Sequence, residues 1–506
     1  MAYTNRILTL PADRPRISRL IALLLGCLTT LAFEPFGWSL LAPLLLLPIL
    51  FVCLTLAPRD AGRYAFWYGL GLFLTGTYWI YISVVIFGEA PGWVALFLML
   101  GLSLVMAAWL FAAAYTISYL SQGEPLYMLL VAPAGWVLVE WLRGWVASGF
   151  PWLAFGYAQT DSVLAGWAPL AGVYGASFAV LFAASAAILV IMGRGKLRSI
   201  ALVMIFLPWA LGALLQHVDW TAADGEPLTV TILQAGISQD SKWLPEARQP
   251  TLDFYRDGTR IARDSDIVVW PEVAIPNLLS RERPYVAQLE ADARESGQTI
   301  LFGILEDVAD RGERKVYNSV ILLDGARRQV YRKRHLVPFG EYFPVPETVR
   351  EWMKMMSLPY SDLSAGSDRQ DLLVTRGGTR LALMICYEDA YNSEQLYALP
   401  AAGVLVNVSN DAWFGDSVAP HQHLQIARMR SIEAGRPGIR ATNTGISAFI
   451  DYDGTLLEKG GQFRKESLTT GIQPRKGSTP FVASGNVPIV ALCCLILGFF
   501  WIKRPR

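Results

Sequence analysis

The sequence LALMICYED at residues 381–389 decides which fold and which chemistry we expect of this chain. Its first five residues are all apolar, with no polar residue alternating between them, and this pattern is typical of a short strand buried on both faces. Cys386 follows directly, where the strand ends and a side chain can meet a substrate. Because a lone free cysteine is usually a small buried apolar residue, its interpretation depends on the segments that accompany it.

Two other predicted strands deliver a reactive side chain in the same way. IVVW at residues 267–270 is interrupted by Pro271 and followed by Glu272, and the strand at residues 329–332 leads into Lys333. Glu272 could remove the thiol proton if an apolar site raised its pKa from about 4.3 towards neutrality. Lys333 would favour the thiolate and, with the backbone N–H of Tyr387, stabilise an oxyanion.

Four motifs carry these residues: WPEVAIP at 270–276, KRHLVPFGEYFP at 333–344, CYED at 386–389 and SNDAWFGDS at 409–417. Their order resembles the nitrilase superfamily, and together with a multi-span membrane region they resemble the apolipoprotein N-acyltransferase family. The resemblance implies an α-β-β-α sandwich and a catalytic triad of Glu272, Lys333 and Cys386. It further implies supporting or substrate-binding roles for Glu341, Tyr387, Glu388, Trp243, Asn318, Trp413 and Phe414. For Trp243, Tyr387, Asn318, Trp413 and Phe414 a packing role remains an open alternative.

The composition indicates a membrane protein that carries a soluble part. The chain has 506 residues, of which 53% are hydrophobic and 17% charged, and its net charge of +1 gives no reason to expect nucleic acid as a partner. Eight apolar segments are candidate spans, the seventh of them short: 17–33, 38–56, 64–87, 93–120, 126–145, 165–192, 200–215 and 487–501. We therefore predict a membrane domain of about seven spans at 1–219, an α/β catalytic domain at 220–480 and a last span at 487–501.

The basic residues predict how the chain is oriented in the membrane. They cluster before the first span, after the second, after the sixth and at the end of the chain: Arg6, Arg14, Arg16, Arg19, Arg59, Arg63, Arg194, Lys196, Arg198, Lys503, Arg504 and Arg506. Cytoplasmic loops are enriched in Lys and Arg, so these segments belong on the cytoplasmic side. With eight alternating spans, residues 216–486 lie on the periplasmic side of a bacterial inner membrane.

Cysteine and histidine spacing gives no indication of a disulfide framework, a metal site or a cofactor. Of the five cysteines only Cys386 lies outside the apolar segments. His421 and His423 form an H-x-H pattern without a third ligand in view, so a metal site is disfavoured. We interpret His335 as a structural hydrogen-bonding residue, because Glu272 already supplies a base.

Two further segments have alternative interpretations. An aromatic stretch at residues 141–157, next to Glu140 and Arg143, is either an interfacial aromatic belt or part of a lipid headgroup pocket. EWMKMMSLPY at residues 351–360 is either a helix packed on the core of its own domain or a lid that dips into the outer leaflet.

The resemblance implies acyl transfer through a thioester. The donor would be a membrane phospholipid, most simply phosphatidylethanolamine, and the acceptor the N-terminal amine of a diacylglyceryl-cysteine on an apolipoprotein. One alternative is a membrane-tethered amidase or nitrilase that uses water, although a hydrolase has no obvious need for seven preceding spans. The other is a transporter or scaffold with an inactive outer domain, which the sparse intramembrane charge and the complete Glu-Lys-Cys set disfavour.

Overall fold

The computed structural model describes residues 14–88, 90–193, 195–310, 313–325, 327–338, 340–342 and 363–504. Apolar helices make up the first part of the chain, an α/β part follows, and one further apolar helix closes it. The segment at residues 351–360, for which we weighed a lid against a core helix, lies outside the described residues.

Helices lie at all eight predicted apolar segments. They are α1 (Pro15–Thr29), α2 (Leu41–Thr55), α3 (Pro58–Gly76), α4 (Trp79–Ile82), α5 (Gly92–Ser121), α6 (Pro125–Arg143), α7 (Ala168–Met192), α8 (Lys196–Gln216) and, after the α/β part, α14 (Val487–Ile502). Among the described residues, five are long and apolar enough to cross a membrane, and α3 with α4, bent by 48°, would be a sixth. The helices α2 and α14 are apolar but shorter, so the count of eight spans stays a prediction. The seventh segment, predicted to be short, has 21 residues.

The α/β part is built from two large sheets and a small one. Its strands are β1 (Thr221–Ala223), β2 (Leu228–Gln234), β3 (Ile267–Val269), β4 (Ile275–Leu278), β5 (Thr299–Asp310), β6 (Glu313–Leu323), β7 (Arg328–Arg332), β8 (Leu373–Val374), β9 (Arg380–Ile385), β10 (Val404–Ser409), β11 (Gly438–Thr442), β12 (Ala448–Ile450), β13 (Leu456–Lys459), β14 (Glu466–Ile472) and β15 (Arg475–Gly477). One sheet has the order β14-β2-β3-β5-β6-β7, with β4 paired to β5, and the other has the order β13-β12-β11-β10-β9-β8. The strands β1 and β15 form the third sheet.

The two large sheets face each other across one apolar core, with helices on their outer faces. Val230 and Leu301 of one sheet share this core with Leu383 and Val406 of the other. The helices α10 (Pro245–Ile261) and α11 (Arg283–Ser296) pack on the first sheet, and α12 (Ala419–Ala434) packs on the second. Two short helices, α9 (Gln239–Lys242) and α13 (Pro480–Ser484), complete the described helices of this part. The predicted α-β-β-α sandwich is confirmed.

One central strand was not predicted from the sequence. The strand β11, with the sequence GIRAT, has no continuous apolar run, yet all of its residues are buried between β10 and β12. Arg440 is fully buried there because carboxylates from other segments surround its guanidinium. Buried arginines are rare unless they are paired, which explains why apolar periodicity does not detect this strand.

The aromatic stretch between α6 and α7 packs under the α/β part. Trp152, Phe155 and Tyr157 are buried, so the interpretation as an interfacial belt is wrong for these three residues. Glu140 and Arg143 hold the loop in place: Glu140 accepts a hydrogen bond from the Phe155 N–H, and Arg143 donates to the Trp152 carbonyl. The loop joins the helices to the α/β part through the Trp152 indole, which donates to Gln422 Oε1 at 2.6 Å.

Close packing of α1 on α3 leads to a prediction. A Cβ on Gly26 would meet the Tyr68 carbonyl, and a Cβ on Gly71 would meet the Leu23 carbonyl, so the two backbones touch at paired glycines. We expect Gly26→Ala to force the helices apart and to cost on the order of 1–3 kcal/mol, as overpacking does elsewhere. The measurement is the melting temperature in detergent. The matched control is Gly101→Ala in α5, where no atom lies within 4 Å of the added Cβ. Equal melting temperatures for both variants would contradict the close packing.

Candidate active site

Glu272 lies in the turn that follows β3 and is buried. Its Oε1 accepts a hydrogen bond from Asn318 Nδ2 at 2.7 Å and lies 3.4 Å from Lys333 Nζ. Within the described part of the chain, both hydrogen bonds to this carboxylate end on the same oxygen. Glu272 Oε2 is therefore the atom that can take up a proton.

Lys333 follows β7 and is held between two carboxylates. Its Nζ donates to Glu341 Oε1 at 2.8 Å, in addition to its contact with Glu272. Burial alone would lower the pKa of Lys333, but the charges of Glu341 and Glu272 outweigh it and raise the pKa above its ordinary value. The ammonium therefore stays charged inside the protein.

Cys386 begins a tight turn at the end of β9. Its φ of +54° lies in the left-handed region, which a residue other than glycine adopts only where the surroundings enforce it. Burial, and next the charge of Glu272, raise the pKa of the thiol, whereas Lys333 and a hydrogen bond with Ser409 lower it. Since the net shift of the thiol pKa is upward, a base beside the thiol would be needed to form the thiolate.

Glu388 ties the lysine segment to the cysteine turn. Its Oε2 accepts from the Ile385 N–H at 2.7 Å and from the Tyr331 hydroxyl at 3.0 Å. Its Oε1 accepts from the backbone N–H groups of Arg334 and His335 at 2.6 and 3.1 Å. Burial raises the pKa of Glu388, and the backbone donors oppose that shift.

The structure brings some of the predicted supporting residues into this site. Asn318 donates to both Glu272 and Glu341, so it bridges the two carboxylates that flank Lys333. Tyr387 stacks on Trp152 with ring centroids 6.1 Å apart. Phe414 lies edge-on to Trp79 of the membrane helices at 4.8 Å.

Two other predicted residues are exposed to solvent. The exposed fraction is 49% for Trp243 and 39% for Trp413. The Trp413 carbonyl accepts a hydrogen bond from Ser83, which connects its segment to the membrane helices. The ring of His335 packs on Tyr391 with centroids 3.8 Å apart.

Lys242 was missed by the sequence analysis. Its Nζ donates to the backbone oxygen of Glu272 at 3.4 Å, and the side chain is buried. Burial lowers its pKa to about 8, while the charge of Glu272 opposes the shift. The sequence signal was weak, because Ser-Lys-Trp at the end of a short helix is also typical of an exposed surface.

A buried polar cluster behind the cysteine turn was also missed. His423 contacts Asp389 Oδ1 at 2.7 Å and Asp411 Oδ1 at 3.0 Å. Arg440 donates to the other oxygens of the same two carboxylates. Asp389 and Asp411 lie inside the CYED and SNDAWFGDS motifs, so the motifs indicated both aspartates. Their partners His423 and Arg440 could not be assigned from the sequence.

Comparisons with known proteins agree with this geometry. Residues 25–186 match the family model of the apolipoprotein N-acyltransferase N-terminal domain, and residues 221–480 match that of carbon-nitrogen hydrolases. A protein of Methylococcus capsulatus named apolipoprotein N-acyltransferase is 41% identical over 494 residues, which is 96% of each chain. One of Azotobacter vinelandii with the same name is 40% identical and covers 96% of this chain and 95% of its own. The chain belongs to the apolipoprotein N-acyltransferase family.

Membership of the apolipoprotein N-acyltransferase family confirms that the protein is an acyltransferase of the carbon-nitrogen hydrolase superfamily. Together with its long apolar helices, it also confirms the prediction of a membrane protein. The matched carbon-nitrogen hydrolase range contains β1 to β15, and thus both sheets of the sandwich.

The His423 cluster predicts how stability depends on pH. Burial and Arg440 would lower the pKa of His423, but Asp389 and Asp411 raise it to about 9, above the ordinary 6.5. The folded state therefore binds this proton more tightly, so its contribution to stability is complete below pH 6.5 and is lost as the pH rises towards 9. We expect the melting temperature to fall over this range, and to fall less in His423→Gln. The same slope in both proteins would contradict the prediction.

Proposed function

We propose that the protein transfers an acyl chain from a membrane phospholipid to the N-terminal amine of a diacylglyceryl-cysteine on an apolipoprotein, through a thioester on Cys386. One observation carries the proposal: a buried thiol, Cys386, shares its site with a carboxylate, Glu272, and with the ammonium of Lys333. This set suits acyl transfer, because the base activates the thiol and the cation stabilises the oxyanion. The relatives named apolipoprotein N-acyltransferase support the acceptor.

In the first half-reaction Cys386 Sγ attacks the ester carbonyl of the donor while Glu272 Oε2 takes the thiol proton. Lys333 and the Tyr387 N–H stabilise the tetrahedral oxyanion. The carbon–oxygen bond then breaks, and the lysophospholipid alkoxide leaves with the proton held by Glu272. The enzyme is left as a thioester with Glu272 again ionised.

In the second half-reaction the free α-amine of the acceptor attacks the thioester carbonyl. Glu272 accepts a proton from the attacking nitrogen, and the same two donors stabilise the second oxyanion. The carbon–sulfur bond breaks, the thiolate recovers the proton from Glu272, and an amide is released. Proton uptake and release balance over the cycle, and the proposed steps require no metal or diffusible cofactor.

We propose further that the α/β part faces the periplasm of a bacterial inner membrane. The loop between α6 and α7 packs on the α/β part, which supports their being on the same side. The ends of α2, α5 and α14 meet in a cavity lined by Leu56, Gln122 and Arg504, beside the basic residues predicted to be cytoplasmic. The division into domains at 1–219, 220–480 and 487–501 stays a prediction.

Separate measurement of the two half-reactions tests the mechanism. Cys386→Ala should bind phospholipid but show no acyl adduct by mass spectrometry of the intact protein. Glu272→Gln should slow both formation and discharge of the adduct by on the order of a hundredfold or more, because each step needs its proton transfer.

A hydrolase would behave differently in the same assay. Steady release of free fatty acid by the wild-type protein, unchanged when a diacylglyceryl peptide is added, would rule out transfer to an amine. Discharge of the adduct only on addition of the peptide is the result we expect.

Reporter fusions test the orientation. A reporter joined after Leu215 should be periplasmic and one joined after Arg198 cytoplasmic, since α8 would separate them. Reporters on the same side would show that α8 does not cross the membrane, and the α/β part could then face the cytoplasm.

A further inference from the structure

The peptide unit between Cys386 and Tyr387 carries two groups with different tasks. A peptide unit is planar and trans, so the Cys386 carbonyl and the Tyr387 N–H point in opposite directions. Whatever holds the carbonyl therefore also aims the N–H. In this structure Asn407 Nδ2 donates a hydrogen bond to the Cys386 oxygen at 3.1 Å.

The direction of the Asn407 amide is itself fixed. Arg440 Nη1 donates to Asn407 Oδ1 at 2.6 Å, which leaves the NH₂ group facing the Cys386 carbonyl. The two residues are Cα partners in the parallel pairing of β10 with β11. Their neighbours Val406, Val408 and Ile439 face the core between the sheets, so Asn407 and Arg440 point to the opposite face.

Arg440 is anchored in turn by paired charges. Its Nη1 donates to Asp389 Oδ2 at 3.1 Å and its Nη2 to Asp411 Oδ2 at 2.8 Å, and His423 bridges the same two carboxylates. All four side chains are at most 1% exposed. A buried arginine paired in this way with two carboxylates has little freedom to move, and this holds the Asn407 amide in place.

The cysteine turn needs such a hold. With φ at +54°, Cys386 is in a conformation that is strained for a residue other than glycine. Rotation of the following peptide unit about the Cα–C bond of Cys386 would turn the Tyr387 N–H away from the site. The hydrogen bond from Asn407 to the Cys386 carbonyl opposes that rotation.

We propose that Asn407 is a positioning residue for the acylation reaction: by holding the Cys386 carbonyl, and being held by Arg440, it aims the Tyr387 N–H at the developing oxyanion. This inference rests on the proposed thioester chemistry and adds a role for residues outside the triad. Asn407 does not touch the substrate, and it acts only through the peptide unit of the nucleophile.

The test is Asn407→Asp, which keeps an acceptor for Arg440 but removes the donor to the Cys386 carbonyl. The matched control is Asn443→Asp, which removes a similar buried bond, from Asn443 Nδ2 to the Ile237 carbonyl at 2.7 Å, away from the cysteine turn. Each protein is acylated with a short-chain ester and with the thionoester in which sulfur replaces the carbonyl oxygen. Sulfur is a weak hydrogen-bond acceptor, so the ratio of the two rates reports on the oxyanion donors.

We expect Asn407→Asp to lower the rate of acylation by the oxygen ester on the order of 100- to 1,000-fold, the usual effect of losing one oxyanion donor. The thionoester rate should fall much less, so the rate ratio should drop, while alkylation of Cys386 by iodoacetamide keeps its rate. Asn443→Asp should preserve the ratio. If Asn407→Asp does not fold, Arg440→Lys provides the same comparison, since it releases the Asn407 oxygen.

The following results would overturn the inference. Equal losses with both esters, or a parallel loss of alkylation, would show that Asn407 only stabilises the fold or the thiol. A wild-type protein that forms no acyl adduct from either ester would overturn the proposed function, and this inference with it, whereas normal wild-type acylation with an unchanged ratio in the variant would overturn this inference alone.

Discussion

The proposed active site depends on one buried carboxylate, Glu388. Lys333 comes from the end of a strand in one sheet and Cys386 from the end of a strand in the other, so the site lies where the two sheets meet. Glu388 accepts hydrogen bonds from both segments: from the N–H groups that follow Lys333 and from the one that precedes Cys386. A buried carboxylate needs hydrogen-bond donors, and here the donors are backbone N–H groups of the lysine segment and of the cysteine turn. The bonds to Glu388 therefore hold Lys333 and Cys386 near each other.

A second constraint is the balance of charge around Lys333. Two carboxylates, Glu272 and Glu341, share one ammonium and one amide from Asn318. Burial and the charge of Glu272 raise the pKa of the Cys386 thiol, which favours the neutral thiol until its proton moves to Glu272. The same arrangement thus favours the protonated thiol and provides the carboxylate that can accept its proton.

Much of the fold could be predicted from the sequence because apolar runs mark it. The LALMI run predicted β9, and runs of this kind placed Glu272, Lys333 and Cys386 after strands, whereas their role as a triad was implied by the family resemblance. Arg440 could not be found in this way, since its strand is buried only because Asp389 and Asp411, 51 and 29 residues away in sequence, neutralise it. Lys242 was missed for a related reason: its burial next to Glu272 is a property of tertiary packing. For the aromatic loop two interpretations stayed open, because Trp152 is as suited to an interior as to a membrane surface.

The stacking of Tyr387 on Trp152 has a consequence for how this enzyme can change over generations. The residue after the nucleophile rests on a loop that belongs to the membrane helices, and His423 of the polar cluster lies against the same indole. A substitution in that loop therefore alters the surroundings of the reacting carbon, although the loop precedes Tyr387 by more than 200 residues in the chain. We therefore expect a chimeric protein that joins the two halves of distant relatives to disturb this contact between Tyr387 and Trp152.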